Sequence, residues 1–187
     1  MRPIFESCTP RPEILTGDLR DEMFAARLKD VIEGTADPVY QDPTRFFENT
    51  FPTDGLKTLL REVAGRLSGE APSFSPFVRL ETSFGGGKTH NLIALCHLAG
   101  GRAPGLSETI VPTTWRPTKP WKVVGLVGSD LDPANGIRHP DAVTKTIWGE
   151  IAYQLGGAEG LAEVAESDAA GAAPGTCLLY TSPSPRD

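Results

Sequence analysis

Thr82-Ser83-Phe84-Gly85-Gly86-Gly87-Lys88-Thr89 stands between a candidate strand, Phe77 to Glu81, and an apolar candidate helix that runs out at Gly100-Gly101. Three successive glycines remove each Cβ that would keep backbone N–H groups from closing around an anion. A helix beginning at Lys88 aims its positive end at the same point. The stretch therefore reads as a phosphate-binding loop. The backbone N–H groups of Gly85, Gly86, Gly87, Lys88, Thr89 and His90 are expected to form the cradle. Lys88 is the expected catalytic cation, reaching the β- and γ-phosphates, and the Thr89 hydroxyl the expected Mg2+ ligand. The usual pattern, G-x-x-x-x-G-K-[ST], has glycine where this chain has Thr82, so the turn out of the strand must suit a β-branched residue. A glycine-rich turn that happens to precede Lys-Thr is the alternative.

On the upstream side, Arg79 and Glu81 alternate with Val78 and Leu80, whereas a central parallel strand is usually a continuous apolar run. Either the two charges, which share a face, pair with each other or with the N-terminal helices, or the strand lies at an edge. On the downstream side, Leu92, Ile93, Ala94, Leu95, Cys96, Leu98 and Ala99 make the helix apolar almost all round, as a buried helix is. His90 and His97 share a face seven residues apart; with no third ligand in view, structural or solvent-facing roles are expected over metal binding.

The first 20 residues are rich in turn formers and read as an extended lead-in. From Asp18 the apolar residues Leu19, Met23, Ala26, Leu28, Val31 and Ile32 fall at helical steps, with Gly34 as the stop. A second helix carries Leu56, Leu59, Leu60, Val63 and Leu67 on one face, begins at Thr53 or Asp54 and closes at Gly69. Phe46 and Phe47 just before it are expected in the core.

Beyond the loop helix, Arg102 to Pro120 reads as a long surface loop pinned by its tryptophans, with a short strand near Thr109 to Val111. Arg116, Lys119 and Lys122 with Trp115 and Trp121 form a basic-aromatic cluster, for which a nucleic-acid contact is the alternative. Val123 to Gly128 is the second expected strand. Asp130 and Asp132 at its carboxyl end could serve Mg2+, but two residues intervene before Asp130 and no acidic pair follows, so capping and turn-making is favoured. The next helix is expected from about Ala142 to Leu155, with Val143, Ile147, Ile151 and Leu155 at four-residue steps and Gly156-Gly157 as its stop; Trp148 and Tyr153 pack against neighbours, and Leu161 to Ala165 forms one more short helix.

The chain has 187 residues, 39% of them hydrophobic, enough for one domain with a real core. A net charge of −6 argues against a general electrostatic grip on nucleic acid. Three cysteines without C-x-x-C spacing indicate neither a disulfide framework nor a zinc site and fit the reducing cytoplasm. No window is long and apolar enough to span a membrane. The final run, Cys177 to Asp187, begins C-L-L-Y-T-S, as does the translation of a transposon-end sequencing adapter, so it is set apart from the fold and the natural chain is expected to continue past Thr176.

Four blocks in order, F-F-E-N-T-F-P-T-D-G-L-K (Phe46 to Lys57), L-E-T-S-F-G-G-G-K-T-H (Leu80 to His90), G-S-D-L-D-P (Gly128 to Pro133) and T-I-W-G-E-I-A-Y-Q-L-G-G (Thr146 to Gly157), resemble the large AAA-like P-loop ATPases of prokaryotic anti-phage defence islands. The resemblance spans nearly all of residues 8–176. It implies an α/β fold: an incomplete P-loop NTPase-type parallel sheet over 72–176, preceded by an α-helical N-terminal region over 1–71. It also implies ATP and Mg2+ at Gly85 to Thr89 and protein partners in a defence complex that acts on DNA, with oligomerisation open. The family's Walker-B acid, sensor and arginine finger have no counterpart in this chain. A module that binds ATP to order a partner surface, without efficient hydrolysis, is therefore the alternative.

Overall fold

Two Asp-Pro steps organise the N-terminal half. The computed structural model describes residues 8–10, 12–17, 26–81, 85–101, 103–104, 106–132 and 134–175. In it, helices α1 (Pro12–Thr16) and α2 (Leu28–Glu33) are followed by two short helices, α3 (Pro38–Gln41) and α4 (Pro43–Glu48). Asp37 and Asp42 are their N-caps: Asp37 accepts from the Val39 N–H at 3.0 Å and Asp42 from the Thr44 N–H at 2.8 Å, while Pro38 and Pro43 follow at the position where a missing N–H costs nothing. Helix α5 (Asp54–Ser68) takes Thr53 as its N-cap and ends at Gly69, and α2 ends at Gly34, both glycines in the left-handed conformation. These stops fall where the sequence put them. The residues Leu19 and Met23 of the expected first helix lie outside the described residues.

Helix α6 (Lys88–Ala99) is the centre of the packing. Its Ile93, Ala94 and Leu98 are buried among Phe46 of α4, Leu56, Leu60 and Ala64 of α5, and Val31 of α2. Phe46 is only 1% exposed. The other face of α6 is only partly covered: Leu92 is 37% exposed, and with Leu95 and Cys96 it lines a groove of about 300 Å3 against Val123 and Val124. The all-round apolar pattern is thus half buried.

Residues 77–81 and 121–127 are extended but, among the described residues, join no ladder. Arg79 and Glu81 pair with each other at 2.6 Å, as one of the two expectations had it, and both remain largely exposed. Trp121 donates its N–H to the Ala99 carbonyl at 2.8 Å, which fixes the start of the second segment at the carboxyl end of α6. The described sheet is one short antiparallel pair, β1 (Ile137–Arg138) with β2 (Val143–Thr144). No parallel strand pair forms among the described residues.

Three local expectations change. Thr109 to Val111 is a turn, closed by the Ile110 and Val111 N–H groups on the Ser107 carbonyl, because it must turn Val111 fully into the core. Val143 belongs to β2, and helix α7 (Ile147–Ala162) starts only after its N-cap Thr146. Gly157, at φ +63° and ψ −151°, kinks α7 where the sequence placed its stop; the short helix expected over Leu161 to Ala165 is instead α8 (Ala165–Ala169), with Leu161 and Ala162 lying beyond the kink in α7. In α7 the apolar stripe is outermost: Ile147 and Leu155 are 49% and 41% exposed, Trp148 is 40% exposed, and Gly149 and Glu150 face inward.

The inward face of α7 is organised by Asp168 of α8. Its carboxylate, 5% exposed, accepts from the Lys145 and Thr146 N–H groups and from the Thr146 hydroxyl at 2.7–3.1 Å, and the Thr146 hydroxyl in turn caps the Gly149 N–H at 3.0 Å. Asp168→Ala leaves two backbone donors without this acceptor, so a loss of about 2–3 kcal/mol is expected by urea unfolding. A change below about 0.5 kcal/mol would contradict this account of the helix start.

Candidate functional site

Gly85 and Gly87 have φ of +80° and +73°, a region where an L-residue costs about 1–2 kcal/mol. Among the described residues, a Cβ built on either glycine meets nothing within 4 Å, so the need for glycine is dihedral. Gly87 is the N-cap of α6 and, having no side chain, contributes no capping acceptor to the N–H groups of the first helical turn. Gly85, Gly86, Gly87, Lys88 and Thr89 are exposed together at this end of the helix. That is an anion-compatible arrangement: open backbone, positive helix end and a lysine in one place. Thr82, Ser83 and Phe84, the first half of the loop, lie outside the described residues.

Thr89 also lines a cavity of about 420 Å3 with Leu92, Lys29 of α2, Val127, Gly128 and Ser129. The extended segment that starts beside Ala99 therefore ends beside Thr89. This segment thus runs in the direction opposite to the helix. Asp130 closes a short 3-10 helix, Gly128–Asp130, directly after Ser129. Asp132 makes a turn: it accepts from the Ala134 and Asn135 N–H groups at 2.8 and 3.2 Å and from the Asn135 side chain at 2.6 Å, bonds that hold its carboxyl below the usual range.

His90 turns away from the loop opening. Its ring stacks on Phe46 at 4.4 Å between centroids, and its Nε2 lies 2.8 Å from the Thr50 hydroxyl. Thr50 gives its one proton to the Phe46 carbonyl at 2.6 Å, so His90 Nε2 must be the donor to Thr50. His97 likewise donates from Nε2 to the Tyr40 carbonyl at 2.8 Å. Burial is the main cause that lowers the pKa of both rings. Both histidines thus brace α6 against α3 and α4, in line with the structural role expected of them. No group of three or more candidate metal ligands occurs among the described residues.

A pH dependence follows from those two rings. The folded chain takes up their protons less readily than the unfolded chain, whose histidines titrate near 6.5. Their contribution is present above that value and is lost as pH falls below it. Urea midpoints at pH 7.5 and 5.5 should show lower stability at 5.5, and the drop should shrink in a His90→Gln/His97→Gln variant. An undiminished drop in the variant would assign the pH dependence to other groups.

Parts of the basic-aromatic cluster are tied into the fold. Arg116 donates to the Leu106 and Val111 carbonyls at 2.6 and 3.2 Å, Arg61 lies over the Trp115 ring at 5.1 Å, and Lys122 reaches the Leu155 carbonyl at 2.7 Å. A second polar group escaped the sequence analysis. Glu150, 4% exposed, accepts from the Thr144 hydroxyl at 2.5 Å, from His139 Nε2 at 2.8 Å and from Gln154 at 2.8 Å. Burial pushes its carboxyl up, but the three donors outweigh it and hold the pKa below the ordinary value. Thr146, Glu150 and Gln154 recur at four-residue steps, a polar stripe that was available as a signal beside the apolar one.

Residues 9–108 match the family described as DUF499 N-terminal domain. The chain belongs to the DUF499 N-terminal domain family. The DUF499 match takes in helices α1 to α6 and the whole of Thr82 to His90, and ends before the segment that carries Ser129. Two of the four blocks quoted above, Phe46 to Lys57 and Leu80 to His90, therefore lie inside the DUF499 region. No curated protein matches the chain, and no solved structure does. No helix among the described residues is long and apolar enough to cross a membrane.

Proposed function

We propose that this chain binds ATP with Mg2+ at Gly85 to His90, as the first part of a P-loop ATPase domain belonging to a cytoplasmic anti-phage defence complex that acts on DNA. The observation that carries the nucleotide site is the loop itself: two glycines at positive φ, then Lys88 and Thr89 exposed at the open N-terminus of a helix braced on its opposite face. The approach of Val127 to Ser129 to Thr89 supports it, since in open α/β folds ligands bind where strands end at their carboxyl edge. The defence complex rests on the resemblance of the four sequence blocks. When bound, ATP supplies the phosphoryl group. Lys88 would neutralise its charge, Thr89 would hold Mg2+, and the loop amides would orient the phosphates.

Calorimetric titration of the chain with ATP, with and without Mg2+, tests the site. Saturable binding that Mg2+ strengthens is expected, with AMP a weak competitor because it lacks the β- and γ-phosphates. AMP binding as tight as ATP would place recognition elsewhere than at a phosphate cradle. Binding of ATP without turnover would favour the second reading, a module that orders a partner surface, for which the absence of an acidic pair after Val127 speaks.

A further inference from the structure

Gln154 treats Gly125 as a neighbouring strand would. Its Oε1 accepts from the Gly125 N–H at 2.9 Å and its Nε2 donates to the Gly125 carbonyl at 3.0 Å, the two-way exchange of a hydrogen-bonded strand pair, made by one side chain of α7. The amide cannot turn over without loss, because its second Nε2 hydrogen goes to Glu150 Oε1 at 2.8 Å. Glu150 is itself held at its other oxygen by Thr144 and His139. From the other side, Ile32 of α2 comes so close that a Cβ on Gly125 would collide with it. Gly125 is thus gripped between two helices in the middle of a segment that forms no ladder among the described residues.

From the very next residue the same segment lines the cavity that Thr89 also lines, with Leu126, Val127, Gly128 and Ser129. Resting on the ATP·Mg2+ site proposed above, we propose that Gln154 is a positioning residue for that site: its grip on Gly125 sets where the Gly128–Asp130 turn stands relative to Thr89, and hence the Mg2+-dependent part of nucleotide binding. Phosphate capture by Gly85 to Lys88 does not pass through this segment. The two parts are separable by experiment.

Gln154→Met keeps the length of the side chain and removes both bonds to Gly125. With both bonds lost, the strengthening of ATP binding by Mg2+ should fall by about 10-fold, while binding without Mg2+ stays within about 2-fold of the unmodified chain. His139→Gln, which retains a donor to Glu150 and does not touch Gly125, should bind like the unmodified chain under both conditions. If Gln154→Met fails to give a helical circular dichroism spectrum, Gln154→Glu, which keeps the acceptor for the Gly125 N–H and loses the donor to its carbonyl, takes the same test. An unchanged Mg2+ increment overturns the proposal, as does equal weakening with and without Mg2+, the mark of a merely structural role. If the unmodified chain binds no ATP, the nucleotide site fails first, and that outcome is distinct from both.

Discussion

Phe46→Ala is expected to lower stability by about 3–5 kcal/mol, the range for truncating a buried aromatic side chain. Phe46 is 1% exposed and touches three rings: Phe47 at 5.3 Å, His97 at 5.0 Å and His90 at 4.4 Å between centroids. It is the contact by which α4 reaches the helix that begins at Lys88. In a chain of this length the midpoint of thermal unfolding should fall by on the order of 10 °C. Phe46→Leu, which refills part of the space, should recover more than half of the loss. Should Phe46→Ala unfold within about 0.5 kcal/mol of the unmodified chain, the packing of α4 on α6 would not be what holds the N-terminal helices in place.

Lys88→Ala is expected to weaken ATP·Mg2+ binding by roughly 10- to 100-fold, since a charge-assisted bond to phosphate contributes about 1.5–3 kcal/mol. Lys88 is exposed at the first position of α6, and its side chain is no part of the hydrophobic core. Lys88→Arg should recover only part of the affinity, a fork-shaped guanidinium being a poor replacement for a compact ammonium in a narrow loop. The two predictions separate cleanly: Phe46 is about whether the helix is held, and Lys88 about what its N-terminus holds. Equal ATP affinity in Lys88→Ala and the unmodified chain would remove the phosphate role of this lysine.

Helix boundaries set by local chemistry were legible in the sequence. Gly34, Gly69 and Gly100 end helices where a missing Cβ or a broken period said they should, and Thr53 caps α5. Phe46 is buried as expected of an aromatic at that place, and of the two roles open to His90 and His97, structural or solvent-facing, the rings take the structural one against Phe46. What periodicity alone could not supply was which face of a helix finds a partner. In α7 the stripe of Ile147 and Leu155 stands exposed while Glu150 is buried, because three donors from β2, the β1–β2 connection and α7 itself satisfy the carboxylate. Gln154 was invisible for the same reason: its partner is a backbone 29 residues away, and backbone partners leave no residue-type signature. The extended segments 77–81 and 123–127 were read as strands from composition, yet a strand needs a ladder partner that neither has among the described residues.

The most direct test of the nucleotide site is to follow the backbone amide resonances of the 15N-labelled chain during addition of ATP·Mg2+. Saturable shifts that are largest at Gly85 to His90, with smaller ones at Val127 to Ser129, are the expected result. Saturable shifts concentrated elsewhere with the Gly85 to His90 amides unmoved, or no shifts at any ATP concentration, would contradict the assignment of this loop as the phosphate cradle.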